Sequence, residues 1–220
     1  AVDSAIKKMG GTELSNPEDY WTDLREQTHR QRLDALQQAY LQRGPEMVEF
    51  FQNRTAVQFY SGSRMPDMRD GDGAAAGGRS LCAQPFDGRL LGDALQRMRA
   101  PLDIVSLFGM GIAGGADMAA FFNARRSLRA ALHVAGRLLR HLRDYLLHGR
   151  GMQLVNGNAL VARLLRSALD RQVELLSGCP ARHLLHANGR VYGAVLQQAQ
   201  GNLQVNARRG VVLACGGFPH

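Results

Sequence analysis

Gly216-Gly217, closing the uncharged run Gly210-Val-Val-Leu-Ala-Cys215, is where this sequence comes nearest to chemistry. Two successive residues without a Cβ let the chain turn sharply and let a ligand approach the main chain. The other reactive types are scattered. Cys82, Cys179 and Cys215 are odd in number, far apart and without C-x-x-C spacing. That disfavours a disulfide framework or a zinc site and fits a reducing, cytoplasmic setting. Cys215, in an apolar run, reads as a small hydrophobe rather than a redox group. The seven histidines show no metal spacing with carboxylates and no H-E-x-x-H, so no metal is expected. There is no G-x-S-x-G. Arg79-Ser80 fits anion binding or loop folding, and the structural role is favoured.

The elements that must position these residues read most clearly towards the end of the chain. Residues 210–214 are small or apolar without charge, the pattern of a strand buried on both faces. Before them lie three strand patterns at 181–186, 191–197 and 203–207. Asn188-Gly189 is a strong two-residue hairpin signal and Gly201-Asn202 makes a second turn, so the three are expected as an antiparallel meander. Further back, a strand at 152–155, a helix from Asn156 with Leu160, Val161, Leu164, Leu165 and Leu169 on its apolar face, and a strand at 173–176 predict a parallel β-α-β unit. Residues 123–148 read as one helix ended by Gly149 and Gly151. Its stripe of Leu128, Leu132, Ala135, Leu138, Leu139, Leu142 and Leu146 is expected to pack in the core.

The first half is helical, then irregular. Ser15-Asn16-Pro17-Glu18-Asp19 offers an N-cap, a first-turn proline and acids at the positive helix end. Tyr20, Trp21, Leu24, Leu33, Leu36, Tyr40 and Leu41 fall at helical spacing over two helices. Gly44-Pro45 is expected to break the run before a short helix at 46–51. From 54 to 102 the pattern fails around the patch Gly71-Asp-Gly-Ala-Ala-Ala-Gly-Gly78, as in a functional or mobile loop or a linker between two domains. Residues 105–122 are nearly long enough to span a membrane, with Asp117 as their one charge. Four glycines break them, so a buried loop beside a ligand or partner surface is the preferred reading over a span. The net charge of +8 is almost all arginine, spread without a cluster, which favours a solvated surface over a nucleic-acid site. The fold class is therefore α/β: a helical N-terminal part plus an incomplete parallel sheet with a three-stranded antiparallel meander.

A meander followed by Gly210-Val-Val-Leu-Ala-Cys-Gly-Gly-Phe218 resembles the Gly-Gly strand of the FAD-dependent fumarate reductase and 3-ketosteroid dehydrogenase flavoproteins. Gly157-Asn-Ala-Leu-Val-Ala-Arg-Leu-Leu165 and Gly189-Arg-Val-Tyr-Gly-Ala-Val195 fall at the family's spacing. Met65-Pro-Asp67, Gly78-Arg-Ser80 and Pro85-Phe-Asp87 are similar to the P-D-Y, G-R-S and P-F-D stretch of its ketosteroid dehydrogenase branch. The resemblance implies FAD, with Ala181, Ala214, Cys215, Gly216 and Gly217 on its adenosine and diphosphate side. It places Met65 and Met68 towards a hydrophobic, enone-type substrate. The branch's P-D-Y tyrosine assists proton removal, but this chain reads Pro66-Asp67-Met68, and a thioether is no general base. Tyr60 is the nearest hydroxyl.

The resemblance makes residues 1–220 a partial FAD-binding domain, divided into a helical segment (1–53), a Gly-rich loop region (54–122) and a helix, β-α-β unit, meander and return strand (123–220). The G-x-G-x-x-G turn and the substrate-capping domain are absent. The chain is thus expected to be part of an oxidoreductase moving hydride between flavin and a carbon–carbon bond. By itself it is expected to hold no catalytic residue, to be inactive and to bind FAD weakly or not at all. An interaction module pairing two copies through an exposed sheet edge is the alternative, and a basic anion- or nucleic-acid-binding domain a weaker one.

Overall fold

The computed structural model describes residues 17–62, 66, 76–77 and 80–216. The expected cap at Ser15-Asn16, both candidate methionines, Asp67, Arg79, Gly217 and most of the Gly-rich patch lie outside the described residues. A single helix, α1 (Pro17–Arg54), opens the described chain. Pro17 suits a first helical position, where its missing N–H has no intrahelical partner to lose. The helix runs through Gly44-Pro45 instead of breaking there. A proline ring normally collides with the Cβ of the residue before it, and Gly44 has none. Arg43 Nη1 pairs with both Glu46 oxygens at 3.1 and 2.8 Å across the same turn.

The expected loop region is more ordered than its composition suggests. Strands β1 (Phe59–Ser61) and β2 (Leu81–Ala83) pair antiparallel, Tyr60 opposite Cys82. Strand β3 (Phe86–Asp87) leads into tight 3₁₀ turns over Gly88–Arg97, and Asp87 Oδ1 accepts from Arg89 N at 3.0 Å. Strands β4 (Ser106–Leu107) and β5 (Met110–Gly111) form a hairpin. Its turn, Phe108-Gly109, has both φ values positive (53° and 77°), the geometry of a two-residue turn that matches strand twist. Short helix α2 (Ala116–Asn123) follows. The 105–122 segment is therefore a hairpin and a helix, and much of it is exposed: Val105, Phe108 and Phe122 are 66%, 84% and 79% accessible.

Helix α3 (Leu128–His148) begins five residues later than the expected 123, at an N-cap where Ser127 Oγ accepts from Ala130 N. Gly149 closes it in the left-handed conformation, φ 71°. Its apolar stripe does not enter the core. Leu128, Leu132, Leu139, Leu142 and Leu146 are exposed, while Arg137 and Asp144 are buried. Hydrogen bonds explain that orientation: Arg137 Nη2 donates to Gly111 O at 2.8 Å, and Asp144 accepts from Arg89. A buried charge must be paired, so these partners set the face that turns inward.

Strand β6 (Gln153–Leu154) pairs antiparallel with β3, and helix α4 (Asn156–Asp170) follows. Residues 173–176 form no strand, so the parallel β-α-β unit does not close among the described residues. With only β3 beside it, β6 has its ladder partner upstream, not downstream. The core lies where α4 meets this pair: Ala83, Phe86, Leu91, Leu95, Met98, Met152, Leu154, Ala159 and Ala162, with Leu160, Leu165 and Leu169 packed against it. Small Ala159 and Ala162, both 0% accessible, let α4 approach closely. Arg163 clasps the helix to the hairpin side, donating to the carbonyls of Gln84, Ala56 and Pro85 at 2.9, 2.7 and 2.8 Å. Its guanidinium also lies 5.3 Å over the Phe86 ring.

The meander is present: β7 (Ala181–Ala187), β8 (Arg190–Gln198) and β9 (Gly201–Asn206) form one sheet in that order, both pairs antiparallel. Asn188 and Gly189 make the first turn with φ values of 51° and 73°. Residues 211–216 correct the return strand. They carry no ladder, and Val212 and Leu213 are 89% and 64% accessible. A strand buried on both faces needs neighbours along its edges, and the described residues supply none there. The architecture is mixed helix and small antiparallel sheets. No helix among the described residues is long and apolar enough to cross a membrane.

Candidate functional site

The β1–β2 hairpin and the start of α2 face each other across a cleft of about 620 Å³. Tyr60, Ser61, Cys82, Gln84 and Pro85 line one side, and Ala113 to Asp117 the other. The hairpin register sets Tyr60 against Cys82, and the two side chains hydrogen-bond. Burial pushes the Tyr60 phenol above its ordinary value near 10, and the neighbouring Cys82 thiol pushes the same way. At neutral pH this group is therefore a neutral phenol whose O–H donates to Cys82, leaving its oxygen to accept.

The opposite wall is a glycine turn held by one carboxylate. Gly115 has φ 77°, and neither Gly114 nor Gly115 has an atom within 4 Å of where a Cβ would stand. A ligand can thus meet the backbone here. Asp117 Oδ2 accepts from Ala113 N at 2.9 Å, pinning the turn. Its other oxygen meets His133 Nε2 at 2.7 Å, and buried Arg137 Nη1 stands 3.4 Å from Oδ2. Burial lowers the Arg137 pKa from its ordinary value, Asp117 opposes that fall, and Arg140 adds to it. Asp117 is thus a positioning group whose negative charge has two cationic or hydrogen-bonding neighbours.

A second polar knot lies below the cleft. Asp144, 2% accessible, is held by Arg89, with Arg143 Nη2 at 3.5 Å. Arg89 also meets Asp87 at 3.1 Å. These contacts join α3 to β3 and serve the fold. Among the described residues no group of three or more His, Cys, Asp or Glu side chains is arranged to hold a metal ion.

Of the residues picked from sequence, Ala181 opens β7, exposed and paired with Leu196. Ala214, Cys215 and Gly216 lie on the exposed segment after β9. Gly216 has φ 79° and nothing within 4 Å of a Cβ placed there. This leaves room for a group against the backbone. Gly217, Met65 and Met68 lie outside the described residues. The structure instead brings together Tyr60, Cys82, Gly114, Gly115 and Asp117, which sequence reasoning did not join. Asp117 carried a legible signal as the one charge in the glycine-broken apolar run. The Tyr60–Cys82 pairing carried none, since 22 residues separate the two and register alone unites them.

Residues 3–220 match the family described as FAD binding domain. The chain is 34% identical to a 4-oxocyclohex-2-ene-1-carboxylate 5-dehydrogenase of Sinomonas cyclohexanicum over 81% of its length and 30% of that protein. It is 30% identical to a 3-oxosteroid 1-dehydrogenase of Comamonas testosteroni, covering 82% of the chain and 32% of that protein. Among solved structures it is similar to a 3-ketosteroid Δ1-dehydrogenase from Sterolibacterium denitrificans in complex with 1,4-androstadiene-3,17-dione. There the TM-score is 0.69 and the identity 34%, over 82% of this chain and 33% of that one. The chain thus spans about a third of the length of the curated relatives it matches. With nearly every residue inside the family match and these relatives dehydrogenases by name, the chain belongs to the FAD binding domain family, among its ketosteroid dehydrogenase-like flavoproteins.

Proposed function

We propose that this chain is the FAD-binding part of a dehydrogenase that moves hydride between flavin and a carbon–carbon bond of a cyclic ketone. The likeness to a ketosteroid dehydrogenase, at 34% identity and a TM-score of 0.69, carries the reading. The substrate class follows from two relatives whose names share a ring oxo group, a 3-oxosteroid and a 4-oxocyclohexene carboxylate. Bound FAD supplies the hydride donor or acceptor. Ala181, Ala214, Cys215, Gly216 and Gly217 are assigned to its adenosine and diphosphate side. Gly216 offers backbone without a Cβ, and Ala214 and Cys215 stand exposed beside it. Met65 and Met68 are assigned to the substrate side.

In the finer fold reading, the 210–214 segment becomes a strand of a parallel sheet when edge neighbours are supplied. That would order the apolar side chains of Val212 and Leu213, which are now exposed. The chain is read as one partial FAD-binding domain that does not turn over substrate by itself. Its affinity for FAD is weak, of order 0.1 mM, since the residues assigned to FAD meet only its adenosine and diphosphate side. Titration with FAD while following backbone amide signals tests this. Saturable shifts centred on Ala181 and residues 214–216, reversed by ADP, are expected. Unchanged spectra at millimolar FAD would refute the assignment.

A further inference from the structure

We propose that helix α3 and the Phe108 turn form a docking face for the surface of an anionic lipid bilayer. This goes beyond the flavin assignment and does not depend on it. Leu128, Leu132, Ala135, Leu139, Leu142 and Leu146 recur every three or four residues, so they share one face of the helix. The five leucines are exposed, because the opposite face is the one held down by buried Arg137 and Asp144. Phe108 widens the stripe. Its carbonyl oxygen accepts from His141 Nε2 at 2.9 Å, which seats the hairpin turn on α3. Phe108 then shares a groove of about 570 Å³ with Leu138, Leu139, Leu142 and Tyr145. Scattered apolar side chains are normal on a protein surface, but a contiguous patch of this kind marks an interaction site.

Charge selects the occupant. Arg125, Arg126, Arg129, Arg140 and Arg143 are exposed on α3 or just before it, and the last three run along one margin of the stripe. Asp144 is the one acidic residue between positions 118 and 160, and it is buried. A second copy seated face to face on α3 would bring arginines together with no exposed carboxylate of that helix to meet them. An anionic bilayer meets both features. The leucines and Phe108 enter the boundary of the acyl chains, while the guanidinium groups reach the phosphates on their aliphatic stems. The helix lies along the surface in this arrangement, since its inner face stays fastened to the rest of the fold through Arg137 and Asp144.

The test is flotation of the purified chain with vesicles of phosphatidylcholine alone and of phosphatidylcholine mixed with phosphatidylglycerol. Light scattering of the lipid-free chain is measured alongside. Binding to the mixed vesicles is expected to be at least about tenfold tighter than to the neutral ones, and weaker at high salt. Arg129→Gln combined with Arg143→Gln should remove most of that preference. Leu139→Gln combined with Leu142→Gln should weaken binding to the mixed vesicles about tenfold at low salt. Depth is read separately with Phe108→Trp, whose new indole should be quenched by brominated acyl chains in the mixed vesicles. Absence of vesicle binding, equal binding to both compositions, or an indole that brominated chains do not quench would each overturn the proposal. A chain that self-associates through this face and floats with neither vesicle would give the face to a second copy and overturn it too.

Discussion

At the scale of single residues, Tyr60 and Arg163 stand out by their surroundings. Tyr60 is held neutral by burial first and by Cys82 second. Its folded pKa lies above its unfolded value near 10, so the unfolded state loses this proton first as pH rises. The linked stability is full below about pH 9 and is lost as pH climbs past 10 towards the folded value. Denaturant unfolding of wild type and Tyr60→Phe should therefore give a stability difference that is constant to about pH 9 and changes against the wild type above 10. A difference flat to pH 11 would contradict the assigned environment. Arg163 is the fastening group. Its three carbonyl acceptors belong to two segments about 80 and 107 residues away in sequence. Burial also lowers its pKa from the ordinary value, a cost the three hydrogen bonds offset. Arg163→Met keeps much of the aliphatic stem and strands those carbonyls. A loss of about 2–4 kcal/mol is expected in urea unfolding, and a loss below 0.5 kcal/mol would deny the clasp.

At the scale of elements, local signals and distant partners divide what could be read in advance. The meander was legible because alternation and the Asn188-Gly189 turn are properties of neighbouring residues. Within it, Gly193 is fixed by its surroundings: a Cβ there would overlap the Val205 carbonyl oxygen across the strand pair. Gly193→Ala should cost about 2 kcal/mol or more and shift amide signals in β8 and β9; a neutral effect would mean the strands separate without penalty. Helix α3 shows the opposite case. Its apolar stripe was visible, but which face turns inward depends on Arg89 and the Gly111 carbonyl, 55 and 26 residues away. No periodicity contains that information. Since Leu139 is 68% accessible, Leu139→Gln should change the stability of this chain by no more than about 0.5 kcal/mol. A loss above 2 kcal/mol would show the stripe to be covered in solution. The 210–214 run and the Gly44-Pro45 pair complete the lesson. One needs sheet neighbours that its own residues cannot specify, and at the other a glycine without Cβ relieves one of the clashes a proline makes in a helix.

At the scale of the whole molecule, the chain offers parts of a flavoprotein laid open. A compact core joins α4 to the β3–β6 pair, a cleft with a neutral phenol lies to one side, and a glycine-ended segment follows the meander. The family was legible from ordered short motifs, although each is weak singly; the cleft was not, because it is assembled from residues 60–62, 82–85 and 113–117 by register and one carboxylate. The net charge of +8 suits an anionic diphosphate as readily as any other polyanion, so charge alone does not choose between a nucleotide and a nucleic acid. The direct test is an amide-resolved titration of the chain with FAD, ADP and riboflavin. The account predicts saturable shifts at Ala181 and residues 214–216 with FAD and with ADP, and none there with riboflavin, because the adenosine and diphosphate half is what these residues are proposed to meet. Shifts with riboflavin but not ADP, or none with FAD at millimolar concentration, would contradict it.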